Sequence, residues 1–112
     1  MPIDKSNPRV WVVRLADEPA LTDDLNDAKA EAEATPASAA PHLVVDLSAL
    51  TMINSSNLTQ LLRLRKLALE RDVKLRLTRP TGPVDGVFHT TGLDKVFDFA
   101  ADIRAAVSTV LG

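Results

Sequence analysis

The sequence predicts an α/β domain with a small, mostly parallel sheet. Three observations carry this. Short β-branched runs alternate with stretches of helical periodicity along the chain, in the order β-α-β-α-β-α-β-α. The run Leu43–Leu47 is apolar on both faces apart from Asp46, as expected of a central strand covered on both sides. At 112 residues with 46% apolar content, the chain suits one domain over residues 1–112, able to bury about two-thirds of its unfolded surface.

VWVVRL, Val10–Leu15, is the first clear strand. Only Ile3 is apolar before it, so any extra N-terminal strand is expected to be short. Pro19 suits a helix start, and Leu21, Leu25, Ala28 and Ala32 follow at helical spacing. That stripe is narrow and rich in alanine, which predicts a loosely packed edge helix. Thr35–Pro41 reads as a linker, because Pro36 and Pro41 do not fit inside a helix. After the strand Leu43–Leu47, a helix is expected from Ser55 to Glu70. Its leucines cover more than one face and predict the most buried helix of the fold. Val73–Thr78 alternates, with Val73, Leu75 and Leu77 inward and Lys74, Arg76 and Thr78 on a wet face. Pro83, Val84, Val87 and Phe88 mark a short helix, closed by Gly92 as a left-handed cap. Lys95–Phe99 is expected as a strand, and Ile103, Ala106, Val107, Val110 and Leu111 line a final helix.

Composition narrows the function. The chain has no cysteine, no apolar run near the ~18 residues of a membrane span and no secretory pattern at its start. A cytoplasmic location without membrane insertion fits these features. The net charge of −2 hides an acidic stretch at residues 17–33 and a basic one at 63–79. The basic stretch has no interleaved aromatics, so nothing points to direct nucleic-acid binding. GxGxxG, GxxxxGK[ST] and GxSxG are absent, which removes support for nucleotide loops and a nucleophile elbow. His42 and His89 lack metal-spaced partners and read as structural. No metal or other cofactor is indicated. Asp46 ends a strand, where it suits an Asx turn better than a catalytic acid.

The remaining polar cluster is Asn54-Ser55-Ser56-Asn57, at the start of the leucine-rich helix. Free amides and the helix dipole meet there, so the place suits an N-cap, a bound anion or a phosphoserine. From the residues alone, the cap is the favoured role.

The stretch DLSALTMINSSNLTQLL resembles the signature of the STAS domain, the fold of bacterial anti-sigma factor antagonists. Val44, Val45, Asp46, Leu47, Ser48, Leu50, Met52, Ile53, Ser55, Ser56, Leu58 and Leu61 match in register. Gly92, Leu93, Val96 and Phe97 match a second segment, and the resemblance covers about residues 9–111. It implies a regulatory binding protein rather than an enzyme. The implied partner is an anti-sigma factor of the histidine-kinase-like ATPase type that is also a serine kinase, with a phosphatase restoring the unmodified form. The implied phosphoacceptor is Ser56, with Ser55 as a cap or loop ligand. The implied partner surface is Asn54, Ser55, Ser56, Asn57, Leu58 and Thr59. Asp46, Ser48 and Gly92 are implied to shape the loops and caps. Two positions depart from the family's D-S-S-G: Asn54 removes a charge beside the acceptor, and Asn57 adds a side chain where glycine is usual. An alternative within the family is a non-phosphorylated adaptor subunit of a lipid-trafficking ABC transport complex. A serine nucleophile is the weakest reading, since no general base is indicated nearby.

Overall fold

The sheet is built in sequence order. A computed structural model describes residues 3–112. Five strands, β1 (Ile3–Asn7), β2 (Val10–Arg14), β3 (His42–Asp46), β4 (Leu75–Thr78) and β5 (Phe99–Ala100), lie side by side as β1-β2-β3-β4-β5. β1 is antiparallel to β2, and every later pair is parallel. Register is fixed by apolar pairs such as Val13 with Val45 and Leu43 with Leu75. β1 is the short extra strand. It is mostly exposed, and its turn is held by the Arg9 amide donating to Asn7 Oδ1 at 2.8 Å.

Three helices connect the parallel strands: α1 (Ala20–Ala34), α2 (Ser55–Glu70) and α3 (Gly82–Thr91). Right-handed crossovers between strands taken in order put all three on one face. The main core lies beneath them, with Val13, Val45, Leu47, Leu61, Leu77, Val84 and Phe88 fully buried. α4 (Ile103–Leu111) covers the other face, where Ala106 and Val110 meet Val10, Val12 and Val44. Among the described residues, no helix is long and apolar enough to cross a membrane.

Four expectations change. α1 is not loose: Leu21, Leu25, Ala28 and Ala32 are buried, and small alanines bring it close to α2. Side chains also brace the two helices. Gln60 Nε2 donates to Thr22 O and Asn26 Oδ1, both at 3.0 Å, and Arg71 donates to the carbonyls of Glu33 and Thr35. Thr78 is not on a wet face. It is 2% exposed, because α4 closes that side and its hydroxyl is used internally. The segment predicted as a strand over Lys95–Phe99 begins instead as a 3-10 turn, Leu93–Lys95. Gly92 adopts φ 75°, and the following amides bond three residues back, so pairing begins only at Phe99. Phe97 and Phe99 instead clamp Phe88 edge-on, at centroid distances of 6.0 and 5.5 Å. Finally, α2 spans the predicted residues and buries Leu58, Leu61, Leu64 and Ala68, but Leu69 stands 62% exposed.

Candidate functional site

The polar cluster sits where β3 hands over to α2. At the strand end, Asp46 Oδ1 accepts from the Ser48 amide at 3.1 Å, an Asx turn that starts the loop. The same oxygen accepts from the Thr78 hydroxyl at 2.9 Å, and Thr78 Oγ1 accepts from the buried Leu47 amide at 2.8 Å. β3 and β4 are therefore pinned together under the loop. Leu47 and Leu50 fill the core below it.

The far side of the loop is tied to the β2–α1 connection. Asp17 Oδ1 accepts from the Thr51 amide at 2.9 Å, and Asp17 Oδ2 from the Thr51 hydroxyl at 2.6 Å. The Thr51 hydroxyl and amide hold the Asp17 carboxyl below its ordinary value. The Thr22 hydroxyl and amide do the same for Glu18. Both carboxylates are charged at neutral pH.

Asn54, not Ser55, is the helix cap. Its Oδ1 accepts from the Asn57 amide at 2.9 Å, and Asn57 Oδ1 accepts from the Asn54 amide at 3.1 Å. Asn57 is only 1% exposed. Its Nδ2 donates to Gln60 Oε1 at 3.3 Å, and Gln60 reaches α1, so the cap is wired into the helix pair. Of the expected partner-surface residues, Asn57 and Leu58 are buried, at 1% and 6% exposure, while Asn54, Ser55, Ser56 and Thr59 are exposed. Ser55 and Ser56 occupy the first two helical positions and are exposed, as is Thr59, whose hydroxyl donates to Ser55 O at 3.1 Å. The capping pair uses the amides of Asn54 and Asn57. Those of Ser55 and Ser56 lie in the first turn, where a helix leaves N–H groups free.

Beside this turn lies a cleft of about 250 Å³, lined by Asp17, Glu18, Thr51, Met52, Ile53, Asn54 and Asn57. Met52 at its rim is 74% exposed. The result is an acidic, partly apolar hollow next to an accessible hydroxyl at the positive end of a helix. Neither histidine is bonded into it: His42 Nδ1 accepts from the Lys74 amide at 2.9 Å, and His89 faces Asp85 and Asp94. Gly92 is at the end of α3, as its left-handed cap.

The motif match singled out the serines but missed the structural work around them. Asn54 and Asn57 have the three-residue spacing of a capping box, a signal that was present in the sequence. Asp17 carries no comparable signal, because its partners lie 34 and 35 residues away.

Fold and loop together define a mostly parallel α/β domain with a capped helix start that exposes two serines. The chain belongs to the STAS domain family, whose profile matches residues 7–106. Several solved structures are similar, two of them as follows. A serine-to-glutamate variant of RsbS from Moorella thermoacetica aligns with a TM-score of 0.77 at 21% identity, over 97% of this chain and 92% of that one. A chain from the structure titled "Molecular architecture of the stressosome, a signal integration and transduction hub" aligns with a TM-score of 0.71 at 26% identity, over 97% and 95%. Among curated proteins, none matches the sequence.

Proposed function

We propose that this protein is a regulatory binding domain, an anti-sigma factor antagonist that captures a kinase-type anti-sigma factor in the cytoplasm. The surface is the exposed rim of the α2 start, with Asn54, Ser55, Ser56, Thr59 and Met52. The switch is phosphorylation of Ser56. The observation that carries this is the setting of Ser56: an exposed hydroxyl in the first turn of a helix that is already capped by other residues. A kinase can therefore take the hydroxyl without dismantling the cap. Family membership supports a regulatory role, and the likeness to a chain from a signal-transduction hub supports it further.

The physics of the switch follows from the same geometry. A phosphate brings about −1.5 to −2 charges to a neutral hydroxyl. Within the protein, the free amides and dipole of α2 tolerate that charge. At an interface it must be stripped of water beside the Asp17 and Glu18 carboxylates, which already make the rim negative. Binding then falls while the fold is kept.

The test starts with a pull-down from the source cells and intact mass of the recovered protein. Calorimetry follows, with the captured partner and the variants Ser56→Ala and Ser56→Asp. Ser56→Ala is expected to bind like the unmodified protein and Ser56→Asp on the order of a hundredfold more weakly, about 3 kcal/mol. Equal affinity of the two folded variants would overturn the switch.

A further inference from the structure

Among the described residues, the two most exposed large apolar side chains stand at opposite ends of α2. Met52 precedes its first turn, and Leu69 lies in its last, 74% and 62% exposed. Ser55 to Leu69 spans about 21 Å of helix rise. Each side chain borders a hollow, and the two surroundings carry opposite charge. Met52 edges the cleft that contains the Asp17 and Glu18 carboxylates. Leu69 edges a groove of about 170 Å³ between α2 and β4, whose charged lining is Arg65, Lys74, Arg76 and Asp98 and whose apolar lining includes Val73 and Phe97. Arg76 Nη1 is shared with the exposed Asp98 at 3.2 Å, which leaves Arg65 and Lys74 as net positive charge at the rim. The groove has room for the four heavy atoms of a methionine side chain.

We propose that these poles fit each other: Met52 of one copy enters the Leu69 groove of the next, with Asp17 and Glu18 facing Arg65 and Lys74. The occupant is a second copy because this chain itself carries the complementary knob, an apolar tip flanked by carboxylates and by no cation. The contact joins different patches, so it is head-to-tail and propagates into short chains or closes into a ring. It is a small contact, in the weak and transient class, and its charged flanks make it sensitive to salt. The inference goes beyond the partner-binding reading and does not rest on it, and its test uses this chain alone.

Sedimentation velocity from about 10 µM to about 1 mM at low salt decides it, as a Kd on the order of 0.1 mM is typical of such a weak contact. The wild-type mass average is expected to rise with concentration and to fall back when salt is raised. Leu69→Asp and Met52→Asp, both folded by circular dichroism, are each expected to remain monomeric alone. Mixed in equal amounts they form a heterodimer, because one keeps the Met52 pole and the other the Leu69 groove. A wild-type protein that stays monomeric throughout would overturn the proposal. So would either variant associating like the wild type, or a mixture that stays monomeric.

Discussion

Asn54 and Asn57 cap each other, each side-chain oxygen accepting the other's backbone amide, at 2.9 and 3.1 Å. The family's usual aspartate at the first position would supply one of these bonds, and its usual glycine at the second supplies none from a side chain. The two departures from the D-S-S-G pattern are thus one matched pair. They exchange a charged cap for a neutral, reciprocal one and leave Ser55 and Ser56 exposed between them.

Asn57→Gly is expected to destabilise the protein by about 1–2 kcal/mol. It removes a buried cap partner and puts glycine inside a helix. Asn54→Ala should cost about 1 kcal/mol. The double variant should cost less than the sum, since both changes break one box. Urea unfolding of the four proteins measures this. Asn54→Asp keeps the cap and should unfold within about 0.5 kcal/mol of wild type.

Thr78 bridges β3 and β4 from a site that is 2% exposed. Thr78→Val keeps the shape but strands the Leu47 amide, and is expected to cost about 1–3 kcal/mol. Thr78→Ser keeps both bonds and should lose less. Thermal melts of the two variants separate the hydroxyl from the methyl group.

Asp17 ties the site loop down through the Thr51 hydroxyl and amide, and these bonds lower its carboxyl pKa. A depressed folded value means that the tether is fully present above the unfolded aspartate range, about pH 4, and is lost as pH falls through the folded value. The amide proton shifts of Thr51 and Met52 should therefore hold steady at neutral pH and move only in acid, below about pH 4. In Asp17→Ala they should lie at the released position at every pH.

Gly92 ends α3 at φ 75°, with open space around the place of a Cβ. Gly92→Ala is thus a test of backbone conformation without a clash. It should lower stability by about 1 kcal/mol, read from the shift in denaturant midpoint at constant slope.

Much of this fold was written in local patterns. α2 occupies the residues its leucines and polar start announced, and Gly92 caps α3 as its position implied. What local pattern missed was set by distant partners. Alternation placed Thr78 outward, but α4, some thirty residues later in the chain, covers that face. The segment Lys95–Phe99 read as a strand, yet the left-handed turn at Gly92 delays pairing until Phe99. At the site, the serine pair was legible. The burial of Asn57 was not, because it depends on how Gln60 and α1 close over it. The exposure of Leu69 was hidden for a similar reason, since a leucine-rich helix does not reveal where its neighbours stop.

Among the described residues, the second face of the sheet is sealed by α4, whose Ala106 and Val110 rest on Val10, Val12 and Val44. α4 follows every strand in the chain, so ribosomal synthesis delivers the sheet before its lid. A nascent chain can assemble the crossover helices over one side while a valine-rich surface on the other still faces water. In that interval the protein is a one-sided sheet with an adhesive back, the kind of surface chaperones engage. Docking of α4 over those valines is the step that ends this exposure.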